Sequence, residues 1–497
     1  MWPSADSSHP RQAAVIDVGS NSVRLVIYRL EGRAIWTVFN EKALAGLGRD
    51  LPATGRLSAP GVELALAILR RFRVVLDSCP TDDVTVVGTA AVREAEDGPE
   101  FVARVRQETG FEIRVLSGQE EARYAALGVI AGHPDAEGVA GDLGGSSLEL
   151  VPVSRGAPGA GLTLPLGPFA LGAPKPLNPN KARKLIDQRL APLARSFRAP
   201  NFYAVGGAWR NLALLQMALG DYPLRVAHEY EMSRADALDA ARFIQRQSEQ
   251  SLERIPGVSK KRFETLPHAA LVLDALIEHL EIETIIVSAY GVREGLLLES
   301  MPPEVRGRDP LIEGCEALTA LRGLSAELGP ALECWLAPVF DELAPMFGAR
   351  DRLLLAAACR LADLGARLHP DHRAELAFNQ VLRAPIAGMN HCERTFLACA
   401  VFSRHTTQGT PPETAVVNRV LTPERRQRAR ALGAAIRLGA DLSGRNPALL
   451  AATRLRINGN RLVLSAEPAT RAVLQGEQTP KRAATLAQAL KLKLELG

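Results

Sequence analysis

The first part of the chain alternates short apolar runs, bounded by turn residues, with longer segments of helical periodicity. The apolar runs predict strands over 13–18, 23–30 and 34–39, with a turn at Glu31-Gly32. The alternation continues with a helix over 61–77, a strand over 84–88, a helix over 98–109, a strand over 112–116 and a helix over 119–131. This order predicts one α/β lobe over residues 13–131.

A second series of the same kind begins with a hairpin at Gly138. A third strand is predicted over 161–166. The remaining predictions are helices over 181–196, 208–219, 234–251 and 268–279 and strands over 202–206 and 283–288. Strands that alternate with helices favour a mostly parallel sheet, to which the hairpins add antiparallel pairs. We therefore predict a second lobe over residues 132–302.

The two ends of the chain differ from these lobes. After Pro302-Pro303, leucine, alanine and arginine dominate, and strand patterns are rare until a β-hairpin over 454–465. This predicts a mostly helical domain over 303–497. Residues 1–12 have no apolar core, which predicts a disordered tail and neither a signal peptide nor a membrane anchor.

Composition limits the classes of function. The 497 residues are 47% apolar, enough for more than one core. Basic residues number 59 and acidic residues 55, a near balance that by itself implies no nucleic-acid partner. No uncharged apolar run reaches membrane-spanning length, and six cysteines without CxxC spacing are typical of reduced thiols. We expect a cytoplasmic protein without membrane association.

A tight turn of small residues occurs once in each lobe. The first copy, Asp-Val-Gly-Ser-Asn-Ser, starts at Asp17, and the second, Asp-Leu-Gly-Gly-Ser-Ser, starts at Asp142. Each is a strand, a turn and a strand whose backbone N–H groups can approach phosphate oxygens. Each carries a carboxylate at the strand end, where a hydrated divalent metal could sit. A single aspartate of this kind could equally cap a turn, but two copies favour a pair of facing loops that clamp phosphate.

A second internal similarity also indicates duplication. Segment 87–94 matches segment 287–294 in register, and each runs from a strand through small residues into a helix. The helices carry Arg93 and Arg293 in their first turns. A helix N-terminus with a nearby arginine favours anions, although an exposed helix arginine is the simpler interpretation. Both similarities predict two related lobes around one cleft.

Five motifs, in this order, resemble the exopolyphosphatase/guanosine pentaphosphatase (Ppx/GppA) family of the actin and sugar-kinase fold group. They lie at 17–22, 86–89, 117–123, 142–150 and 290–295. The resemblance is strong over residues 13–300 and weak over the helical third. It implies an α/β fold with two duplicated actin-like (ribonuclease H-like) lobes around a cleft, followed by a degenerate HD-like domain.

The resemblance also implies an activity and its residues. It implies a hydrolase that uses Mg²⁺ to release terminal orthophosphate from inorganic polyphosphate. The family's catalytic base carries over to Glu121, although an acidic pair at a helix start is ordinarily a cap. Glu149, two residues beyond Ser147 on a strand, should face the cleft as a metal-coordinating or water-orienting carboxylate rather than as a solvated side chain. The expected catalytic residues are Glu121, Asp142 and Glu149; the expected metal ligands are Asp17, Asp142 and Glu149; the expected phosphate-binding residues are Gly19, Ser20, Asn21, Ser22, Thr89, Arg93, Gly144, Gly145, Ser146, Ser147, Gly206 and Gly207.

Two positions depart from the family pattern. Ser146 stands where the second turn usually has a third glycine, and Leu148 stands where a threonine usually precedes the acid. A Cβ at Ser146 crowds the closest approach of a phosphate, so altered kinetics are expected. The departures support an alternative function, a regulator that binds polyphosphate without turnover. The motifs do not separate polyphosphate from guanosine pentaphosphate as the substrate.

Other features stay open at this level. The Gly206-Gly207 turn fits contact with a nucleotide or chain end as well as close packing of a strand on a helix. In the helical third, Ala362 replaces the histidine expected before Asp363, so no metal is expected there. Its arginines over 425–456 form either a solvated face or a channel for a long polyanion, and scarce aromatic residues favour polyphosphate over nucleic acid. The resemblance implies a homodimer.

Overall fold

The chain divides into two compact units between Arg308 and Asp309, whereas the predicted boundary follows residue 302. The computed structural model describes residues 10–247, 249–253, 255, 263–320, 326–407 and 409–497. The predicted tail lies outside these residues up to residue 9. Its last two residues, Arg11 and Gln12, belong to the first strand, where Gln12 N–H donates to Asp82 at 2.8 Å. No helix in the described part of the chain is long and apolar enough to cross a membrane.

The first unit begins with a mixed sheet in the order β3-β2-β1-β4-β5. β1 pairs with β4 in parallel and with β2 in antiparallel orientation, as the patterning predicts. β5 is only two residues long, shorter than the predicted strand over 112–116. The elements are β1 (Arg11–Val18), β2 (Val23–Glu31), β3 (Ala34–Ala43), α1 (Leu51–Thr54), α2 (Ala59–Asp77), β4 (Asp83–Gly88), α3 (Ala90–Glu94), α4 (Gly98–Thr109), β5 (Arg114–Val115) and α5 (Gly118–Gly132).

A second mixed sheet follows. Its elements are β6 (Gly138–Leu143), β7 (Leu148–Ser154), β8 (Ala157–Pro158), β9 (Leu162–Leu164), α6 (Pro179–Leu190), α7 (Ala194–Phe197), β10 (Asn201–Val205), α8 (Gly207–Leu219), β11 (Tyr230–Ser233), α9 (Arg234–Arg246), α10 (Glu249–Glu253), α11 (Leu266–His279), β12 (Thr284–Val287), α12 (Val292–Ser300) and α13 (Pro303–Arg306). The predicted helix over 181–196 is two helices, α6 and α7. The predicted helix over 234–251 is also interrupted, with α9 ending at Arg246 and α10 starting at Glu249. β11, which the pattern did not predict, is an edge strand antiparallel to β12.

The sheet topology shows which elements of the two lobes correspond. The second sheet has the order β11-β12-β10-β6-β7-β8, with β9 also paired to β7. β6, β7 and β9 therefore repeat β1, β2 and β3, while β10 and β12 repeat β4 and β5. The in-register match of 87–94 with 287–294 is consequently wrong as an equivalence, because it pairs β4 with β12 instead of β10. The conclusion it was meant to support, two lobes with one strand order, holds.

The last helix of each repeat packs on the other lobe. α5 lies on β6, β7 and β9 of the second sheet, and α12 lies on β1 of the first. Their apolar side chains join one buried cluster with residues of both sheets, such as Val15 and Tyr203. The two helices cross closely, since a Cβ on Gly295 would lie 1.9 Å from Tyr124 O and a Cβ on Gly128 would lie 2.1 Å from Gly291 O. Glycine at these positions therefore fixes the contact between the lobes.

The second unit is mostly helical and ends with a small sheet. Its elements are α14 (Pro310–Ala320), α15 (Leu328–Phe340), α16 (Asp351–Arg360), α17 (Arg373–Arg383), α18 (His391–His405), α19 (Thr414–Val420), α20 (Pro423–Leu442), α21 (Pro447–Ala451), β13 (Thr453–Asn458), β14 (Arg461–Ala466), α22 (Gln478–Leu490) and β15 (Lys493–Leu496). The predicted hairpin is β13–β14, to which β15 adds a parallel strand that the pattern missed. α16 ends at Arg360, so residues 361–365 lie in turns and not in the helix proposed for an HD pair.

Candidate active site

The two predicted phosphate turns have the same backbone geometry. Gly19 N–H donates to Ser22 O and Gly144 N–H donates to Ser147 O, both at 3.0 Å. The turns face each other closely, because a Cβ on Gly145 would lie 3.2 Å from Ser20 Cβ. The repeated sequence therefore encodes a repeated structure, and it brings both turns to one place.

Each turn rests on a second turn that sequence reasoning missed. In the first lobe, Gly46 N–H donates to Asn21 O at 3.1 Å and Gly48 N–H donates to Ser20 O at 2.8 Å. In the second lobe, Gly167 N–H and Phe169 N–H make the matching bonds to the second phosphate turn, at 3.0 and 2.9 Å. The spacing of Gly46 and Gly167 after the third strand of each repeat was the available signal.

The supporting turns occupy carbonyl groups and leave N–H groups for a ligand. Within the described residues, the N–H groups of Ser20, Asn21, Gly145 and Ser146 donate to no protein acceptor. The Ser146 hydroxyl is also buried without a partner. Clustered backbone donors of this kind bind anions. The side chain that interrupts the family's glycine pattern thus adds a donor to the clamp. Leu148 is fully buried in the core of the second lobe.

Cross-strand register places different residues beside the two aspartates. Asp142 lies opposite Glu149 on β6–β7, and Asp17 lies opposite Arg24 on β1–β2. Side chains opposite each other in an antiparallel pair share one face of the sheet. Glu149 is 1% exposed, so it faces the interior as predicted and is not a solvated strand residue.

The two adjacent acids at the start of α5 have different surroundings. Glu120 completes a capping box: its carboxylate accepts from Ser117 N–H at 2.9 Å, which with Arg114 lowers its pKa to about 2. Glu121 is buried, and Arg93 Nη1 donates to its Oε2 at 2.9 Å. The same Nη1 donates to Leu116 O, which anchors the guanidinium. Of the pair, only Glu121 belongs to the cleft.

Three carboxyl groups of the cleft have raised pKa values. Burial raises the pKa of Asp142 to about 7, with help from the charges of Glu121 and Asp17. Burial also raises the pKa of Glu149 well above its usual value, with added repulsion from Glu121 and Asp142. Burial raises the pKa of Glu121 against the opposing effect of Arg93. Perturbed carboxyl groups of this kind, gathered in a cleft, are typical of a functional site.

A second group of charged side chains in the cleft is mainly basic and is called the basic half here; it consists of Asp17, Arg24, Arg210, Arg293 and Glu294. Arg293 Nη1 donates to Asp17 Oδ2 at 3.0 Å. Burial, together with the nearby charges of Arg293 and Arg210, lowers the pKa of Arg24 to about 10. Tyr28 Oη donates to Glu294 Oε1 at 2.6 Å beside them. Asp17 is thus paired with a guanidinium, whereas Asp142 and Glu149 are neighbours without such a pair.

The ends of β4 and β10 occupy corresponding positions in the two lobes, and each leads into a helix that borders the cleft. Thr89 caps α3 in extended conformation and Arg93 follows four residues later; Gly206 and Arg210 have the same spacing at α8. Gly206 has a φ of 109°, and a Cβ there would lie 2.7 Å from Leu143 O and 3.4 Å from Asp142 Oδ1. Close packing on β6 therefore accounts for Gly206, although it also borders the site. Gly207 is the first residue of α8.

The carboxylates fit a magnesium ion that substrate phosphates help to hold. The Glu149 Oε1 atom is buried without a hydrogen-bond partner, beside the oxygens of Asp142. Hard oxygen donors suit Mg²⁺, which usually binds through one or two carboxylates together with phosphates and water. Among the described residues, no three His, Cys, Asp or Glu side chains converge on one metal position. Asp142 and Glu149 are therefore the carboxylates that would offer oxygens to such an ion, whereas Asp17 pairs with Arg293.

The arginine-rich part of the helical unit does not form one free basic face. Arg425 donates to Met346 O and stacks over Phe347, and Arg428 donates to Ala344 O. Arg445 pairs with Asp363 at 3.1 Å, so that aspartate holds a guanidinium. His405 Nε2 lies 2.7 Å from Leu364 O, and burial lowers the pKa of His405 to about 4. These side chains have structural partners.

Comparison with known proteins decides the family. The model of the Ppx/GppA phosphatase family matches residues 26–304, which is more than half of the chain. The chain belongs to the Ppx/GppA phosphatase family. A model described as the exopolyphosphatase C-terminal region matches residues 311–496 of this Ppx/GppA protein. The family predicted from the five motifs is confirmed.

Relatives of this Ppx/GppA protein cover more than half of its chain. Exopolyphosphatase 1 of Mycobacterium tuberculosis is 29% identical over 328 residues, which are 63% of this chain and 94% of the relative. The crystal structure of the Aquifex aeolicus family member has a TM-score of 0.51 at 26% identity and covers 58% of this chain and 97% of its own. An exopolyphosphatase structure from Cytophaga hutchinsonii has a TM-score of 0.54 at 23% identity, covering 58% of this chain and 96% of its own. The predicted fold is confirmed.

Proposed function

We propose that this protein is an exopolyphosphatase that removes terminal orthophosphate from inorganic polyphosphate, with Glu121 as the base that activates water. The observation that carries the proposal is the buried Glu121 carboxylate, which Arg93 holds beside two facing turns. Among the described residues, four N–H groups of these turns have no protein acceptor. Membership in a phosphatase family and similarity to a mycobacterial exopolyphosphatase support the choice of substrate.

The chemistry requires a held water and a place for its proton. The water oxygen forms a bond to the terminal phosphorus, and the bond from that phosphorus to the bridging oxygen breaks. The shortened chain leaves with that oxygen, and the proton of the water passes to Glu121. A raised pKa suits a carboxylate that must accept a proton near neutral pH. Arg93 keeps this carboxylate in place through its anchor on Leu116 O.

Magnesium belongs to the same proposal. Asp142 and Glu149 would hold the ion, since they lie opposite each other on β6–β7. A Mg²⁺ ion held there would neutralise charge that develops on the phosphate oxygens. The turn N–H groups and the Ser146 hydroxyl donate to the terminal phosphates.

The basic half accounts for a substrate with more than one phosphate. Arg24, Arg210 and Arg293 gather more positive charge than Asp17 and Glu294 neutralise. Guanidinium groups bind phosphate through paired N–H donors. A single orthophosphate ester would leave this half unused, whereas the following phosphates of a chain would reach it.

The decisive experiment measures orthophosphate release from long-chain polyphosphate and from guanosine pentaphosphate, each with and without Mg²⁺. Wild type should release phosphate from polyphosphate with Mg²⁺, and Glu121→Gln should be slower by roughly 10²- to 10⁴-fold. Glu120→Gln is the matched control, because it changes the neighbouring residue and keeps the helix cap. Its rate of phosphate release should equal that of wild type. Phosphate release from guanosine pentaphosphate but not from polyphosphate would overturn the proposal that polyphosphate is the substrate. Tight polyphosphate binding without release by the folded protein would overturn the enzyme in favour of a binding protein.

A further inference from the structure

The helical unit contains a cavity of about 670 Å³ that none of the chemistry above uses. Its walls come from four helices, α18, α19, α20 and α22, and from residues of the connection between α18 and α19. α18 and α20 touch beside it, because a Cβ on Gly433 would lie 2.3 Å from Ala400 O. The volume lies within the range of small-molecule sites, which is roughly 300–1,000 Å³. The cavity is therefore large enough for an organic ligand.

The floor of the cavity is apolar and buried. Phe402, Val417 and Ala434 line it and are each less than a tenth exposed. The Cys399 thiol lies among them, and burial raises its pKa to about 12, so it adds a neutral, apolar contact. A floor of this kind favours a flat or apolar part of a ligand.

The rim of the cavity carries only positive charge. Arg426 and Arg430 line it, and among the described lining residues there is no aspartate or glutamate. Arg426 donates to the Asn418 side-chain oxygen across the cavity wall, and this bond fixes its position. Within the described part of the chain, Arg430 is exposed and has no ion pair or hydrogen bond. Two guanidinium groups one helical turn apart, without acids, favour an anion with several oxygens.

Neutral polar groups complete the lining between rim and floor. They are hydroxyl groups, including those of Ser403 and Thr485, and the side-chain amides of Asn418, Gln427 and Gln488. Asn418 accepts from Arg426 and Gln427 donates to Ala489 O, whereas the Gln488 amide can both donate to and accept from the edge of a heterocyclic ring. An inorganic phosphate chain would use the arginines and leave the apolar floor without a role.

We propose that this cavity binds a nucleotide, with its phosphates on Arg426 and Arg430 and its base on the floor formed by Phe402 and Val417. The site lies wholly within the second unit, and it stands whether or not the cleft of the first unit hydrolyses polyphosphate. It gives the helical unit a small-molecule ligand of its own.

The first test is equilibrium binding of ATP to the full-length protein by titration calorimetry, with melting curves to verify folding. Arg426→Ala with Arg430→Ala should weaken ATP binding by at least about tenfold. Arg454→Ala with Arg456→Ala removes the same charge from exposed positions of β13 outside the cavity and should leave the affinity unchanged. Equal ATP affinity in wild type and the cavity variant would overturn the proposal.

A second test locates the ligand and separates a nucleotide from a plain polyanion. Photo-cross-linking with 8-azido-ATP should label peptides of α18, α20 or α22, and excess ATP should suppress the label. Labelling confined to residues before Asp309 would place the nucleotide elsewhere and overturn the proposal. Phe402→Leu should weaken ATP binding while leaving the binding of inorganic tripolyphosphate unchanged. Tripolyphosphate that binds as tightly as ATP, with the same dependence on both arginines, would overturn the nucleotide and leave a phosphate site.

Discussion

The two halves of the cleft share a backbone and differ in charge. Each half has a hairpin with an aspartate, a supporting turn, and a helix with an arginine four residues beyond its cap. Where the second hairpin has Glu149, the first has Arg24, and where α5 has Glu121, α12 has Gly295. The duplicated backbone supplies two anion-binding turns, and a few side chains divide them into an acidic half and a basic half.

This division indicates separate tasks. The acidic half gathers carboxylates whose charged forms are costly when buried, a cost that structural packing alone does not explain. The basic half combines guanidinium groups that repel one another, as the lowered pKa of Arg24 indicates. A bound phosphate would relieve the repulsion among the guanidinium groups of the basic half, whereas the repulsion among the carboxylates would be relieved by a cation such as Mg²⁺. The predictions below alter the acidic half, the crossing of α5 and α12, the arginines of both halves and the second phosphate turn, in that order.

The largest effect is expected from neutralising the acidic half. Glu149→Gln should lower phosphate release with Mg²⁺ at least about a hundredfold, because it removes a charged oxygen that would hold the ion. The free energy of unfolding should stay equal or rise, because a buried carboxylate without a partner for Oε1 is replaced by a neutral amide. Steady-state release assays and urea unfolding measure the two quantities. A loss of stability that accompanies the loss of rate would assign Glu149 a structural role.

The helix crossing offers the next largest effect. Gly295→Ala should destabilise the first unit by about 1–3 kcal/mol, because the new methyl group would meet Tyr124 O and force α5 and α12 apart. Gly307→Ala is the matched control, since its Cβ would meet the chain at ordinary contact distance, 3.6 Å from Pro303 O. Urea unfolding followed by circular dichroism compares the two. Equal stability of both variants would show that the crossing tolerates larger residues.

Arg93 and Arg210 occupy corresponding positions, and replacing them should change the pH dependence of the rate differently. Burial raises the pKa of Glu121, and the Arg93 charge opposes that rise. Glu121 accepts a proton only when it is deprotonated, so the rate falls as the pH drops through its pKa. Arg93→Met should therefore move the acid limb of the rate profile to higher pH, whereas Arg210→Met in the other half should leave that limb in place. If Arg93→Met leaves the acid limb of the pH–rate profile in place, Arg93 does not set the pKa of the catalytic base.

The smallest effect concerns the departure from the family pattern. Ser146→Gly removes a buried hydroxyl without a protein partner, so the KM for polyphosphate should rise by roughly twofold to tenfold, the value of one hydrogen bond. Ser147→Gly tests the neighbouring hydroxyl, which lies near Glu149 instead. Initial rates over a range of polyphosphate concentrations measure KM. A KM that falls in Ser146→Gly would mean that its Cβ obstructs the phosphate.

The local parts of this site were predictable from the sequence. Asp17 and Asp142 begin turns that need only nearby residues, and period-two patterning placed Glu149 toward the interior. Glu121 was separated from Glu120 by family resemblance, and the capping box of Ser117 and Glu120 gives that separation a physical reason. Roles as base, metal ligand or phosphate ligand stay predictions.

What failed depends on pairing between distant segments. The match of 87–94 with 287–294 compared two similar strand-to-helix junctions. Which strands correspond is decided by their neighbours in the sheet, and a short segment of sequence does not show those neighbours. A better signal was present: Gly291 and Glu294 begin α12 with the same cap spacing as Ser117 and Glu120 in α5. β11 and β15 were missed because edge strands of four residues carry little periodicity.

The exchanged positions of α5 and α12 have a consequence for how such a molecule can be taken apart. Two copies that trade their last helix form a domain-swapped dimer, and here the two copies are fused in one chain. A fragment that stops at residue 131 would carry Glu121 on a helix stripped of the sheet it covers, and its apolar face would seek a second copy. Neither lobe is complete by itself, because the last helix of each repeat covers the sheet of the other. The working cleft exists only as the joined pair.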